Sequence, residues 1–495
     1  MTQTILIIAN VVKAKLMNAD DAARLHVSDV LSYYVDGYEM SDAYRSKSWD
    51  GRATFFDFGS STFPAGFVNS VATALRTKGY TVAIRRKSGP APLGLGVTEA
   101  YAAVSPFEPD PRYDYQPETV RRLIKYGQTI AQIATGGGKS MIARTAVKAI
   151  LRPTLFLTTR QVLMYQMKAG FEEAGFTVGV MGDGEWAPKR GVNVATVQTI
   201  MARLSNIDTA VQTRKLLSIF ELAILEEAHE AGSNTYYEVL NAMPNAYYRL
   251  ALTATPFMRQ DGEANMRLMA IAGQVGIRVP EKMLIERGIL AKPYFKYVKA
   301  PMPETLLKTS SWQKAYDLGI VQNERRNEII IEEVCRAVRY GLPGMVLVQR
   351  KAHGELLKKL FKAKGVRVDF IFGEHDQDRR ARALDKLKQG QLDVLIGSTI
   401  LDVGVDVPAV GIVALAGGGK AEIALRQRIG RGLRAKKGMP NVCMVLDFED
   451  GKNKHLIGHY KTRRQIIEAT PGFVENILKP GQDFPYDALG FSHKV

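Results

Sequence analysis

Ile133-Ala134-Thr135-Gly136-Gly137-Gly138-Lys139-Ser140 lies between two different periodicities. Before it, the apolar run 128–133 reads as a buried strand. After it, the apolar residues at 141, 142, 146, 147 and 150 follow a helical spacing. Strand, glycine loop, Lys-Ser and helix is the arrangement a phosphate-binding loop needs. Three glycines let the backbone fold back so that several N–H groups point at one anion, and the helix start adds its positive end. In that reading Thr135, Gly136, Gly137 and Gly138 cradle the phosphates of ATP. Lys139 reaches the β- and γ-phosphates, and the Ser140 hydroxyl holds Mg²⁺. The G-x-x-x-x-G-K-[ST] pattern asks for glycine at 133, where isoleucine stands. The plainer alternative is a glycine-rich loop that only caps a helix.

Working outward, apolar runs at 154–158, 192–196, 220–225 and 249–252 each end in polar residues. These are Thr158-Thr159-Arg160, Val197-Gln198-Thr199, Glu226-Glu227-Ala228-His229 and Thr253-Ala254-Thr255-Pro256. Buried strands with polar C-terminal ends describe a parallel sheet whose site runs along that edge. Hydrolysis beside a phosphate loop needs one carboxylate near Mg²⁺ and one to orient or deprotonate water. Glu226 takes the first role and Glu227 the second. Two surface acids at a strand end are the bland alternative. Upstream, 114–126 reads as a helix with Pro117 in its first turn. Gln116 there carries an amide that donates and accepts, as reading an adenine edge requires, although surface glutamines are common.

The pattern repeats downstream. Strands are expected at 345–348, 366–371, 394–396, 411–415 and 442–448, with helices at 354–362, 379–388, 421–434 and 454–468. No second phosphate loop accompanies them. The 421–434 helix contains two glycines, each costing roughly 1 kcal/mol in a helix, and an arginine pair, Arg431 and Arg434, on one face. Guanidinium forks suit a γ-phosphate, so this helix can complete a nucleotide site in the other half. A basic solvated helix binding polyanion is the alternative.

Ahead of the first unit, 1–87 reads as a small α/β module, with strands at 4–12, 52–58 and 80–85 and helices at 22–34 and 65–78. Trp49, beside Lys47 and Arg52, is either a core residue or a base-stacking one. The stretch 88–111 is rich in glycine and proline and is expected to be a linker. The organisation expected is α/β throughout: 1–87 an accessory DNA-binding module, 88–111 a linker, 112–288 and 289–475 two parallel-sheet lobes, and 476–495 a tail.

Composition narrows the partner. The chain of 495 residues has a formal charge of +17, with Lys and Arg concentrated in its second half. A protein this basic usually meets a polyanion, and nucleic acid is the first candidate. Two cysteines in apolar segments suit a reducing cytosol and exclude a disulfide framework. No apolar run approaches the roughly 20 residues needed to span a bilayer. The start has no basic stretch of a leader, so a cytoplasmic protein is expected.

With these residues assembled, the chain resembles a superfamily 2 helicase of the DExH kind from about 112 to 470. Asp114-Tyr115-Gln116 resembles the family's Q-type motif, 134–140 motif I, 226–229 motif II and 253–255 motif III. Residues 397–408 resemble motif V, and Gln427 to Arg434 motif VI with its Q-x-x-G-R-x-x-R spacing. The resemblance implies two RecA-like lobes, ATP and Mg²⁺ as cofactors, and a site built from Gln116, Lys139, Ser140, Glu226, Glu227, Gly404, Asp406, Gln427, Arg431 and Arg434. It implies coupling through His229, Thr253 and Thr255. It implies nucleic-acid contacts at Thr159, Arg160, Gln198, Thr199, Gln349, Arg350, Ser398 and Thr399. Motif II normally begins with Asp, and Glu226 departs from it.

The N-terminal module and the 284–293 stretch resemble the phage UvsW-like subgroup, near the RecG-like helicases and restriction-type translocases. That resemblance implies a monomer in a phage-infected bacterial cell. Its action would be 3′ to 5′ translocation on branched or forked DNA: fork regression, Holliday-junction migration and R-loop unwinding, in recombination, repair or replication. A DExH-type RNA helicase and a nucleotide-switched clamp with little turnover are the rival readings. A restriction-complex motor is a third, without an obvious nuclease cluster.

Overall fold

The computed structural model describes residues 4–105, 108, 110–228, 234–257, 262–373, 377–397, 410–419, 429, 433, 436 and 439–493. The chain divides into two compact units. One comprises 1–133 with 138–278, and the other 134–137 with 279–495.

The first unit opens with a four-stranded sheet in the order Thr62–Pro64, Lys13–Met17, Ile5–Ala9, Val82–Arg86. Ile5, Ile7, Ala14 and Leu16 point to a core shared with the helices Asp21–Val30 and Val68–Thr77. The expected single strand over 4–12 is instead the first arm of a hairpin. The Asn10 side chain accepts from the N–H groups of Val12 and Lys13, which turns the chain back. The helix expected to reach Tyr34 stops at Val30, and Ser32–Tyr34 pairs with Arg52–Thr54.

This module is continuous with the lobe that follows. Tyr237, Met266, Met269 and Ala270 pack on its core. Gly66 lies so close to the Met269 and Ala270 carbonyls that a Cβ there would overlap them. Gln128 Nε2 donates to Val11 O (3.1 Å), and Gln274 Nε2 to Ser70 Oγ (2.7 Å). The 88–111 stretch, expected as a linker, contains the helix Val97–Val104. Its approach is stitched down by the Leu93 and Leu95 N–H groups, which donate to Ile150 and Lys148 carbonyls. The glycines and prolines hid this helix, because they flank it on both sides, up to Gly96 and again from Pro106, with eight ordinary helix residues between.

The lobe itself is an eight-stranded sheet. Its order is Glu185–Ala187, Val178–Gly182, Val192–Thr196, Thr154–Thr158, Leu222–Glu226, Tyr248–Thr253, Gln128–Ile133, Val275–Val279. The pairings from Val178–Gly182 through Gln128–Ile133 are all parallel. The five strands from Val178–Gly182 to Tyr248–Thr253 are buried along their whole lengths, as a sheet covered on both faces requires. Glu226 stands opposite Leu252, and Thr253 opposite Gln132, so three strand ends reach one edge together.

The second unit is a six-stranded parallel sheet, in the order Lys292–Val298, Val442–Phe448, Ile412–Ala414, Gly344–Leu347, Val394–Gly397, Val368–Ile371. The 476–495 stretch, expected as a tail, is largely part of its core. Leu478 N donates to Phe295 O, Phe484, Tyr486 and Phe491 are buried, and Tyr486 stacks on Tyr340 (4.4 Å, 9°). Isolated aromatics without helical or strand period carry no sequence signal for this. Of the expected 421–434 helix, only Ile429 and Leu433 lie among the described residues, and both are buried.

Candidate nucleotide site and nucleic-acid edge

The Gln128–Ile133 strand delivers the glycine loop. Ile133 is fully buried and still part of the strand, so the glycine its position lacks is not needed there. Conformational freedom is used later, at Gly136 (φ +86°) and Gly138 (φ +81°). Gly137 N donates to Ala134 O (3.0 Å), closing the loop. The helix Lys139–Ile150 then starts with no side-chain cap, which leaves its first N–H groups to an anion. Lys139 is half-buried and Ser140 exposed. Gln116, buried on the helix Tyr115–Tyr126, lays its amide nitrogen against the Gly138 backbone.

Glu226 and Glu227 have opposite surroundings although they are adjacent. Glu226 ends its strand 7% exposed, and its Oε2 has no hydrogen-bond partner among the described residues. Burial pushes its carboxyl up to about 8; the Lys139 charge opposes the shift and Glu227 adds to it. Glu227 leaves the strand in the left-handed region (φ +49°) and is half-exposed. A non-glycine residue there stores roughly 1–2 kcal/mol, a strain that collects at functional sites.

An unpartnered buried carboxyl oxygen near a lysine fits a hard divalent cation. Glu226 and Ser140 would hold Mg²⁺; the glycine loop and Lys139 would hold the phosphates. The metal would neutralise phosphate charge, leaving Glu227 placed for water. The strand Tyr248–Thr253 runs between the phosphate-loop strand and the Glu226 strand. At its end Thr255 N donates to Thr253 Oγ1 (3.1 Å), and Thr255 Oγ1 is buried with no hydrogen-bond partner among the described residues. The expected coupling residues Thr253 and Thr255 therefore stand at and just past the end of the strand that lies between the glycine-loop strand and the Glu226 strand.

The same edge gathers Thr159, Arg160, Gln198 and Thr199. Their strands are neighbours, Gln198 Nε2 donates to Thr159 O (3.3 Å), and the Thr196 and Thr199 hydroxyls are 2.8 Å apart. In the second unit Gln349 and Arg350 follow the strand Gly344–Leu347, and the exposed Arg350 guanidinium lies 5.5 Å from the Tyr316 ring centre. His229, Ser398, Thr399, Gly404, Asp406, Gln427, Arg431 and Arg434 lie outside the described residues. Trp49 is half-buried and donates to Arg52 O (2.7 Å), fixing a turn.

One feature escaped the sequence reading. On the outer face of the N-terminal sheet, Lys15, Ile8 and Arg85 stand side by side across three strands. With Lys13, Arg86 and Lys87 they line a cleft of about 490 Å³. The signals were the Lys13-Ala14-Lys15 alternation and the Arg85-Arg86-Lys87 run.

Two family models match. The type III restriction enzyme res subunit covers 111–258, and the helicase conserved C-terminal domain covers 326–436. The chain is 23% identical to the ATP-dependent DNA helicase uvsW of Enterobacteria phage T4 over 462 residues, 88% of each chain. It is 26% identical to putative helicase 22 of a Sulfolobus islandicus filamentous virus, over 63% of this chain and 58% of that one. Among solved structures, a fragment of a putative HsdR subunit of a type I restriction enzyme from Vibrio vulnificus has the same fold. Its TM-score is 0.53 at 17% identity, over 72% of this chain and 66% of that one. Among the described residues no helix is long and apolar enough to cross a membrane. The two models fall in order on the two parallel-sheet units, and the chain belongs to the superfamily 2 helicases, a family of ATP-hydrolysing two-lobed enzymes.

Proposed function

We propose that this chain is an ATP-driven DNA translocase that remodels branched DNA. The observation that carries the reading is the edge of the first lobe. There the strand that carries the phosphate loop, the buried Glu226 carboxyl and the Thr253–Thr255 segment end side by side, beside the Thr159, Arg160, Gln198 and Thr199 cluster. Hydrolysis and strand contact share one rigid sheet, so a change at one reaches the other. The name of the T4 relative, an ATP-dependent DNA helicase matched over 88% of both chains, supports DNA over RNA. The basic face of the N-terminal module supports a second grip, on the phosphates of a duplex arm. A module that packs on the first lobe without slack suits holding one arm while the motor tracks another.

The test is steady-state ATPase at low salt with no nucleic acid, single-stranded DNA, blunt duplex, a fork, a four-way junction and single-stranded RNA. Fork or junction is expected to stimulate most, and the stimulation should fall steeply with salt. Stimulation by RNA alone would move the chain to the RNA helicases. ATP binding without turnover on any of them would make it a nucleotide-switched clamp.

A further inference from the structure

Gly-Gly-Gly-Lys occurs twice, at 136–139 and again at 417–420. The second loop is built differently. Four successive carbonyls are each taken by a side chain. Arg326 Nη1 donates to Ala416 O (2.6 Å), Tyr316 Oη to Gly417 O (2.8 Å), Gln349 Nε2 to Gly418 O (3.3 Å) and Arg463 Nη1 to Gly419 O (3.0 Å). Both arginines are locked in turn by buried carboxylates. Arg326 meets Asp450 at 3.0 Å, and Arg463 meets Asp447 at 3.0 Å and Asp450 at 3.4 Å. The loop is moulded around Gln349. A Cβ at Gly417 would come within 2.8 Å of the Gln349 backbone nitrogen, and one at Gly419 would overlap its amide. Gly418 (φ +62°) and Gly419 (φ +96°) are both left-handed.

The four donors differ in kind. Two are charge-assisted and buried, and the Tyr316 phenol is buried as well. The Gln349 bond is neutral and the longest of the four, so it is the one that yields at least cost. Gln349 is also the donor next to an exposed cation, Arg350, which immediately precedes the helix Lys351–Ala363. The glycine loop leads directly into 420–434, the stretch bearing Gln427, Arg431 and Arg434.

We infer that Gln349 is a positioning residue that couples strand engagement at Arg350 to the rate of ATP turnover by holding the Gly418–Gly419 turn. In this division of labour the amide serves the loop and Arg350 serves the DNA. This rests on the proposed translocase function.

The test titrates forked DNA against ATPase rate for the full chain, its Gln349→Ala and Gln349→Glu variants, and Arg350→Ala. Both Gln349 variants should lower the maximal stimulated rate about ten-fold, with half-saturating DNA within about two-fold of the parent. Arg350→Ala should do the reverse. Higher half-saturating DNA with an unchanged maximum in the Gln349 variants would make Gln349 an ordinary DNA contact and overturn the inference, as would parental behaviour in both. Should Gln349→Ala unfold, Gln349→Glu keeps the side-chain volume, replaces the donor by an acceptor, and reads the same split. A parent chain with no DNA stimulation would instead refute the translocase reading, before any variant is compared.

Discussion

The Gln116 amide nitrogen rests directly on the backbone of Gly138, where any Cβ would collide with it. Gly138 is therefore required twice, by its left-handed φ and by this neighbour. Gly138→Ala is expected to weaken ATP binding at least about ten-fold, a loss near 1.4 kcal/mol. Gln116→Ala removes the collision together with the amide expected to read adenine, so Gly138→Ala should cost less when added to Gln116→Ala than when added to the parent, the remainder being backbone strain. Binding of a fluorescent ATP analogue to the parent, both single variants and the double variant checks this. An equal cost in both backgrounds would show that the collision is not what matters.

Glu226 gives a pH dependence with a definite sign. Its folded pKa, about 8, lies above the ordinary carboxylate value, so between about 4.5 and 8 the folded chain holds a proton that the unfolded chain has released. This group's contribution to stability therefore declines as pH rises through that window. Glu226→Gln removes the dependence and is expected to raise the thermal midpoint at pH 8 by about 4 °C, with little change at pH 5. The same variant should lower turnover more than about 100-fold, since it removes the carboxylate expected to hold Mg²⁺. Equal midpoint shifts at both pH values would contradict the assignment.

Glu227 sets activity against stability. Its left-handed backbone is relieved in Glu227→Gly, which should stabilise the fold by up to about 1 kcal/mol. The variant also loses the carboxylate expected to act on water, so ATP turnover should fall about 100-fold or more while nucleotide still binds. Denaturant unfolding and single-turnover hydrolysis measure the two effects. A less stable Glu227→Gly would mean that the turn is held by the side chain.

The last twenty residues should be inseparable from the second lobe. Tyr486 is buried and stacked on Tyr340, with Phe484 and Phe491 beside it. Tyr486→Ala is expected to cost about 3 kcal/mol, the loss typical of a large buried aromatic. Removal of 476–495 should leave the second lobe prone to proteolysis. A truncated chain as protease-resistant as the parent would show the packing to be dispensable.

The parts most legible in sequence were those where chemistry and period coincide. The phosphate-loop strand at 128–133 and the helix at 454–468 fall where apolar spacing puts them. The strand ends at Glu226 and Thr253 were legible because an apolar run that breaks into polar residues marks the edge of a parallel sheet. Tertiary contacts erased the signal elsewhere. The hairpin at Asn10 depends on one side-chain turn inside a continuous apolar run, and the Val97–Val104 helix followed prolines that masked it. Gln349 shows the limit most directly. Its position beside Arg350 was readable, but its amide's partner, Gly418, is 69 residues away and no local pattern points to it.

The contact at Gly66 bears on inheritance. A glycine whose α-carbon rests on the carbonyls of Met269 and Ala270 leaves no room for a side chain on its own side or for a shifted backbone on the other. The N-terminal module can therefore be exchanged between relatives only for one that also presents a glycine at this contact. A foreign module with any side chain there would need a matching change in the helix Gly262–Ala272, roughly two hundred residues downstream. The module and the far end of the lobe are bound to diverge as a matched pair, and changes near 66 should be accompanied by changes near 270.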